Sequence, residues 1–176
     1  PRGHYMTLGT GFTTTHPDTR PNGVTYNWWM KVTTEQPNGC GVLHGHGTIN
    51  HLEWKNGSFR TEARQQNGYS FGSGSVSIAE DEWVNICLVF ANDEVNRPVY
   101  WYKNGVLFHT GDMTSGTNPD TEHFIPSSFG KSTGSSQYTY SQSFWGELGP
   151  ISFYDRSFTQ DEIIQNFNSM KGRFGL

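Results

Sequence analysis

Cysteine is nearly absent: Cys40 and Cys87 are the only two in 176 residues. Two thiols do not make a disulfide framework, so the fold must rest on apolar burial. Whether the two pair is left open, and buried free thiols are the plainer reading. Charge is sparse too, at 16% of residues, which excludes a disordered polyelectrolyte. The 12 lysines and arginines are scattered, the net charge is −4, and no basic run alternates with aromatics. Nucleic acid is therefore not an expected partner. No apolar stretch reaches membrane-spanning length, so no membrane insertion is expected. The chain opens on Pro1 and not on Met, as expected of a processed product or a domain of a longer protein.

Aliphatic bulk is also short. The hydrophobic fraction is 33% and the mean hydropathy −0.65. Aromatics, at 15%, make up the difference, because each ring buries a large area. At this length one domain with a sizeable core, residues 1–176, is expected.

Five Asn-Gly pairs punctuate the chain: Asn22-Gly23, Asn38-Gly39, Asn56-Gly57, Asn67-Gly68 and Asn104-Gly105. Two-residue hairpin turns need positive φ at both central positions, which suits Asn-Gly. Hairpins are predicted for Leu52–Lys55 with Ser58–Glu62 and for Val99–Lys103 with Val106–His109. Asn56-Gly57-Ser58 also matches a glycosylation sequon; it is read as the first of these turns. Further strands are predicted at His4–Leu8, Val24–Thr33, Gly41–His46, Tyr69–Ile78, Trp83–Phe90, Phe124–Gly130 and Phe144–Tyr154. Asp112–Glu122 and Ser132–Ser143 read as surface loops. Thr159-Gln160-Asp161-Glu162 is a capping box opening a helix. Ile163, Ile164, Phe167 and Met170 form its apolar face, and Gly172 is its stop. The helix is expected along the sandwich edge. The fold class is all-β: an antiparallel sandwich of jelly-roll type with one short C-terminal helix.

Three segments carry a resemblance. They are Tyr26-Asn27-Trp28-Trp29-Met30-Lys31, Glu82-Trp83-Val84-Asn85 with Tyr102-Lys103-Asn104-Gly105, and Gly146-Glu147-Leu148-Gly149-Pro150-Ile151 with Tyr154-Asp155-Arg156 and Thr159-x-x-Glu162-Ile163. Together they resemble the laminin-G-like jelly-roll domains of the concanavalin A-like lectin/glucanase superfamily, over residues 5 to 171. The ending 168–174 resembles such domains in phage virion proteins. The resemblance implies Trp29 as the core ring of its strand. It leaves function open among lectins, glycosidases, adhesion modules and structural modules.

A glycosidase of this superfamily would be expected to carry a Glu-x-Asp-x-Glu strand, and none occurs. Retaining enzymes hold two carboxyl groups ~5 Å apart. Glu80-Asp81-Glu82 is contiguous and reads as a solvated turn, and Glu147 stands alone, so no catalytic residue is expected. His44 and His46 share a strand face, with His51 after a turn, but no fourth zinc ligand is placed; exposed histidines are the reading. Asp112, Asn118 and Asp120 could supply three calcium oxygens; they also suit an ordinary loop.

Sugar faces stack on exposed aromatics. The pool is Trp28, Trp54, Tyr69, Trp101, Tyr138, Tyr140 and Trp145. Neighbours on a strand face opposite ways, so Trp28 beside Trp29, and Trp101 between Tyr100 and Tyr102, imply rings outside the core. The expectation is a non-catalytic recognition or assembly module on a virion surface or extracellular particle, such as a fibre, knob or capsid decoration. Its partners would be neighbouring virion subunits, copies of the same protein, or cell-surface glycan, with no cofactor beyond possible calcium. A free-standing lectin or carbohydrate-binding module is the alternative, and a glycoside hydrolase the more distant one.

Overall fold

The computed structural model of the chain describes residues 6–7, 23–33, 40–45, 50–55, 58–64, 70–91, 98–112, 126–130 and 144–176. Its elements run β1 (Met6–Thr7), β2 (Val24–Val32), β3 (Cys40–Gly45), β4 (Asn50–Lys55), β5 (Ser58–Arg64) and β6 (Ser70–Val76). Then come β7 (Trp83–Phe90), β8 (Pro98–Lys103), β9 (Val106–Asp112), β10 (Pro126–Phe129), β11 (Gly146–Tyr154) and α1 (Gln160–Met170), which passes into a 3₁₀ turn at Lys171–Phe174. Among the described residues the strands form two sheets, ordered β1-β10-β3-β4-β5-β6 and β11-β2-β7-β8-β9. The strand pairs within them are antiparallel. This is the expected sandwich with a C-terminal helix.

Alternation builds the core. Tyr26, Trp28 and Met30 of β2 point inward with Ile86 and Leu88 of β7. They meet Val42, Leu52, Phe59 and Phe129 of the other sheet. Trp28 crosses the gap to Phe129 edge-on, with centroids 5.8 Å apart.

The outer face of the five-stranded sheet is covered too, which makes a third layer. Asn27 and Trp29 alternate onto that face, beside Asn85 and Cys87 in register. The Trp29 ring stacks on Phe174 at 4.2 Å and on Phe167 at 5.7 Å, both nearly parallel. Ile163 of α1 seals against Cys87, Val89 and Tyr102. The helix therefore lies over the middle strands of this sheet and not along the sandwich edge. A ring such as Trp29 removes on the order of 200 Å² from water, worth up to about 5 kcal/mol at 25 cal/mol per Å². That gain selects the face position over the edge. Cys87 is a buried free thiol, and burial pushes it up to about 12.

The amide side chains under this layer are paired, as burial requires. Asn85 Nδ2 donates to Asn27 Oδ1 at 2.9 Å and to the Trp28 carbonyl at 3.1 Å. Asn85 and Asn104 are tied reciprocally: Asn85 N–H donates to the side-chain Oδ1 of Asn104, and Asn104 N–H to the Asn85 carbonyl, both at 2.9 Å. The hairpin turn has φ of +51° at Asn104 and +79° at Gly105, as Asn-Gly predicts.

The chain then folds onto the sheet at 155–162. Thr25 Oγ1 donates to the Arg156 carbonyl (2.8 Å) and accepts from Phe158 N–H (2.9 Å). The capping box forms as read: Glu162 N–H donates to Thr159 Oγ1 (3.3 Å), and Thr159 N–H to Glu162 Oε2 (2.9 Å). Two details of the helix differ from expectation. Ile164 is exposed, because Ile163 takes the central seat on the sheet. Gly172 sits inside the 3₁₀ turn, and the left-handed stop is Gly175, at φ +76°.

Candidate binding edge at Trp145

The structure divides the seven predicted aromatics. Trp28 and Trp101 are buried at 0% and 1% exposure, so neither can meet a ligand. The expectation that adjacent rings leave one outside the core is corrected here: Trp28 fills the sandwich interior while Trp29 fills the layer under α1. Trp101 faces inward from β8, and Tyr102, beside it, is covered by the helix layer. Trp54 stands on β4, in register with Phe59 of β5 and Cys40 of β3. Tyr69, Tyr138 and Tyr140 lie outside the described residues. Trp145 is exposed, at 49%.

Trp145 sits on a firmly anchored backbone. Before it, Phe144 is buried and its N–H donates to the Gly130 carbonyl at 2.7 Å. The Trp145 carbonyl accepts from Thr33 N–H at 3.3 Å and from Thr33 Oγ1 at 3.0 Å. After it, Gly146 pairs with Val32 at the start of β11. A Cβ on Gly146 would land on the Lys31 carbonyl oxygen and within 2.6 Å of the Phe144 ring. Glycine is therefore required where the strand begins. Further along, Leu148 pairs with Met30 but Ile151 with Trp28, so Gly149-Pro150 carries one extra residue. A Cβ on Gly149 would lie 2.9 Å from Trp29 Cβ and 3.2 Å from the Trp83 ring. Pro150 is tolerated because β11 is an edge strand.

Polar groups rim this edge. Glu147 accepts an ion pair from Lys31 at 2.5 Å, and the Lys31 ammonium lies 5.9 Å from the Trp83 ring centroid. The hydrogen bond that Lys31 donates to Glu147, with the nearby charges of Glu147 and Asp81, raises Lys31 above the usual lysine value. Asp81 N–H donates to the Val32 carbonyl at 2.7 Å, in a left-handed turn with φ +59°. Glu80, Asp81 and Glu82 are exposed, as a solvated turn requires. Sequence reasoning singled out Trp145 but missed Lys31 and Thr33. Their signal is register alone, since they join β2 to β11 across more than a hundred residues.

The edge offers an aromatic face beside carboxylate and carbonyl acceptors. Chemically, a ring can stack on apolar faces and such acceptors can take hydrogen bonds from hydroxyl donors. Glu147 is engaged by Lys31, and Glu80 to Glu82 form a surface turn. Among the described residues no three His, Cys, Asp or Glu side chains gather as a metal site. Of the calcium candidates, Asp112 ends β9, and Asn118 and Asp120 lie outside the described residues, as does His46. His44 and His51 stand on β3 and β4. His109 stands across from Trp101, with Nε2 buried and without a partner. Among the described residues no helix is long and apolar enough to cross a membrane.

A second surface is apolar. Val106, Leu107 and Ile164 are exposed at 67%, 43% and 40%. They flank the place where the hairpin meets α1: a Cβ on Gly105 would lie 3.7 Å from the Ile164 Cα, and Gln160 Nε2 donates to the Gly105 carbonyl at 2.8 Å.

Solved structures with this architecture include three of varied origin. The carbohydrate-binding module CBM40 of a Ruminococcus gnavus IT-sialidase, bound to α2,3-sialyllactose, is 20% identical with a TM-score of 0.61, covering 83% of each chain. A heptameric SAP-like pentraxin from Limulus polyphemus is 16% identical with a TM-score of 0.55, over 81% of this chain and 68% of that one. The receptor-binding domain of botulinum neurotoxin D is 12% identical with a TM-score of 0.62, over 85% of this chain but only 37% of that one. No curated protein matches the sequence. A laminin-G model described as the concanavalin A-like lectin/glucanases superfamily matches residues 7–164, and the chain belongs to that family.

Proposed function

We propose that the chain is a non-catalytic recognition module that binds carbohydrate at the Trp145 edge. The observation that carries this reading is a half-exposed Trp145 held on a backbone locked by Phe144, Thr33 and Gly146. A ring presented by a hydrogen-bonded backbone loses little entropy on stacking against a sugar. The family and the sialyllactose-bound fold relative support the reading. The test is a broad glycan array with the purified chain, followed by titration of the best ligand. Trp145→Ala should weaken binding about tenfold or more, on the scale of one lost aromatic contact, with an unchanged melting temperature. Unchanged affinity in that variant would remove Trp145 from the site. Repeating the titration in EDTA tests calcium, which this reading does not require.

A second reading is assembly on a virion surface or other extracellular particle, through neighbouring virion subunits or copies of the same protein. Exposed Val106, Leu107 and Ile164 favour it, as does the likeness of 168–174 to phage virion domains. Sedimentation of the chain with Val106→Asp and Leu107→Asp is the test. A drop in assembled mass with an intact fold supports assembly, and no change counts against it.

A further inference from the structure

We propose that the Trp145 edge selects neutral glycans over carboxylated ones, an inference that rests on carbohydrate binding at this edge. The reason is the charge that rims the ring. Anionic sugars are held by a cation free to meet their carboxylate, best by a guanidinium fork. The lysine that stands across from the start of β11 is already engaged. Lys31 is bound by Glu147 at 2.5 Å and lies over Trp83. Lys103, at the adjoining hairpin, donates its ammonium to the Ser77 carbonyl.

Four carboxylates lie on the same end of the sandwich, all exposed: Glu80, Asp81 and Glu82, which carry the net negative charge, and Glu147, which Lys31 balances. The turn that holds three of them is fastened to the same strand that fastens Trp145. Asp81 N–H donates to Val32 and Thr33 to Trp145. A ligand stacked on Trp145 therefore meets hydrogen-bond acceptors with a negative field behind them. Sugar hydroxyls are donors and suit that field; a sugar carboxylate is a like charge and is disfavoured. Ionic strength should screen the penalty, since the groups are exposed.

The test uses the full chain and a panel of neutral glycans, each paired with its sialylated or uronic-acid counterpart, titrated at low and high salt. Neutral members should bind at least about fivefold more tightly at low salt, with the gap narrowing at high salt. Glu147→Gln, which keeps shape and removes charge, should narrow the gap at low salt without lowering the melting temperature greatly. Equal or tighter binding of the carboxylated members overturns the selectivity while leaving carbohydrate recognition standing. Absence of binding to every glycan overturns both.

Discussion

Single residues in the closing segment are explained by where the backbone passes. Gly146 and Gly149 are three apart in sequence and serve different contacts. Gly146 lies against the Lys31 carbonyl, and Gly149 lies against Trp29 and the Trp83 ring, with Phe174 at 3.4 Å. A Cβ at either must displace a neighbour. At Gly149 the contact under 3 Å is a single atom, Trp29 Cβ at 2.9 Å, with the Trp83 and Phe174 rings further off, and overpacking of this kind costs about 1–3 kcal/mol. At Gly146 the obstacle is backbone, so the cost is larger. Gly149→Ala should therefore lower the denaturant midpoint and Gly146→Ala should lower it further. Equal stabilities for the two variants would contradict the backbone argument. The same contacts make the Gly-Glu-Leu-Gly-Pro segment legible as a motif: its small residues are placed by steric necessity.

At the scale of elements, α1 depends on the loop that precedes it. Glu162 accepts from Arg156 at 2.9 Å and from Thr159 N–H at 2.9 Å. The Arg156 hydrogen bond first, and the Thr159 backbone second, hold its carboxyl at about 2, below the ordinary 4.5. A lowered carboxylate value stabilises the folded state above pH 4.5, and that contribution is lost as pH falls from 4.5 towards 2. Glu162→Gln should melt below the parent at neutral pH, and the difference should shrink on acidification through that window. A difference that does not change with pH would place the effect elsewhere. The cap itself was visible from Thr159 and Glu162 at their spacing. The apolar face of the helix was only partly so. Ile163 and Ile164 look equivalent in sequence, but Ile163 is packed against Cys87, Val89 and Tyr102 while Ile164 is left in solvent.

For the whole molecule, the third layer is what closes the fold. Phe174 stacks on Trp29 and tilts over Trp83 at 4.7 Å. Truncating its ring should cost roughly 2–3 kcal/mol, below the full range for a wholly buried phenylalanine because Phe174 is partly exposed. Phe174→Ala should lower the denaturant midpoint accordingly and shift tryptophan emission to the red. A chain ending at Met170 should bind a hydrophobic dye strongly, as Trp29 loses Phe174 altogether. An unchanged midpoint in Phe174→Ala would mean that the stack is incidental to stability. The C-terminal turn at Lys171–Phe174 is thus the seal over Trp29 of β2 and Trp83 of β7.

Local chemistry in the sequence determined the strands, the Asn104-Gly105 turn and the helix cap. Each follows from a few adjacent residues: β7 begins at Trp83 and ends at Phe90, as its β-branched and aromatic run predicts. The family was legible for the same reason, because its motifs are local devices such as Asn85 with Asn104 and Thr159 with Glu162. Only the tertiary structure decided which rings meet solvent. Alternation says that Trp28 and Trp29 face opposite ways, and they do. Whether the second face is open depends on Phe167 and Phe174, more than 130 residues further along. Trp145 could not be told from Trp101 by composition or period. Trp101 lies inward on β8, an inner strand of its sheet, and Trp145 is exposed just before the edge strand β11. Burial is a property of what arrives from elsewhere in the chain, so the surface available for binding is settled by packing and not by local sequence.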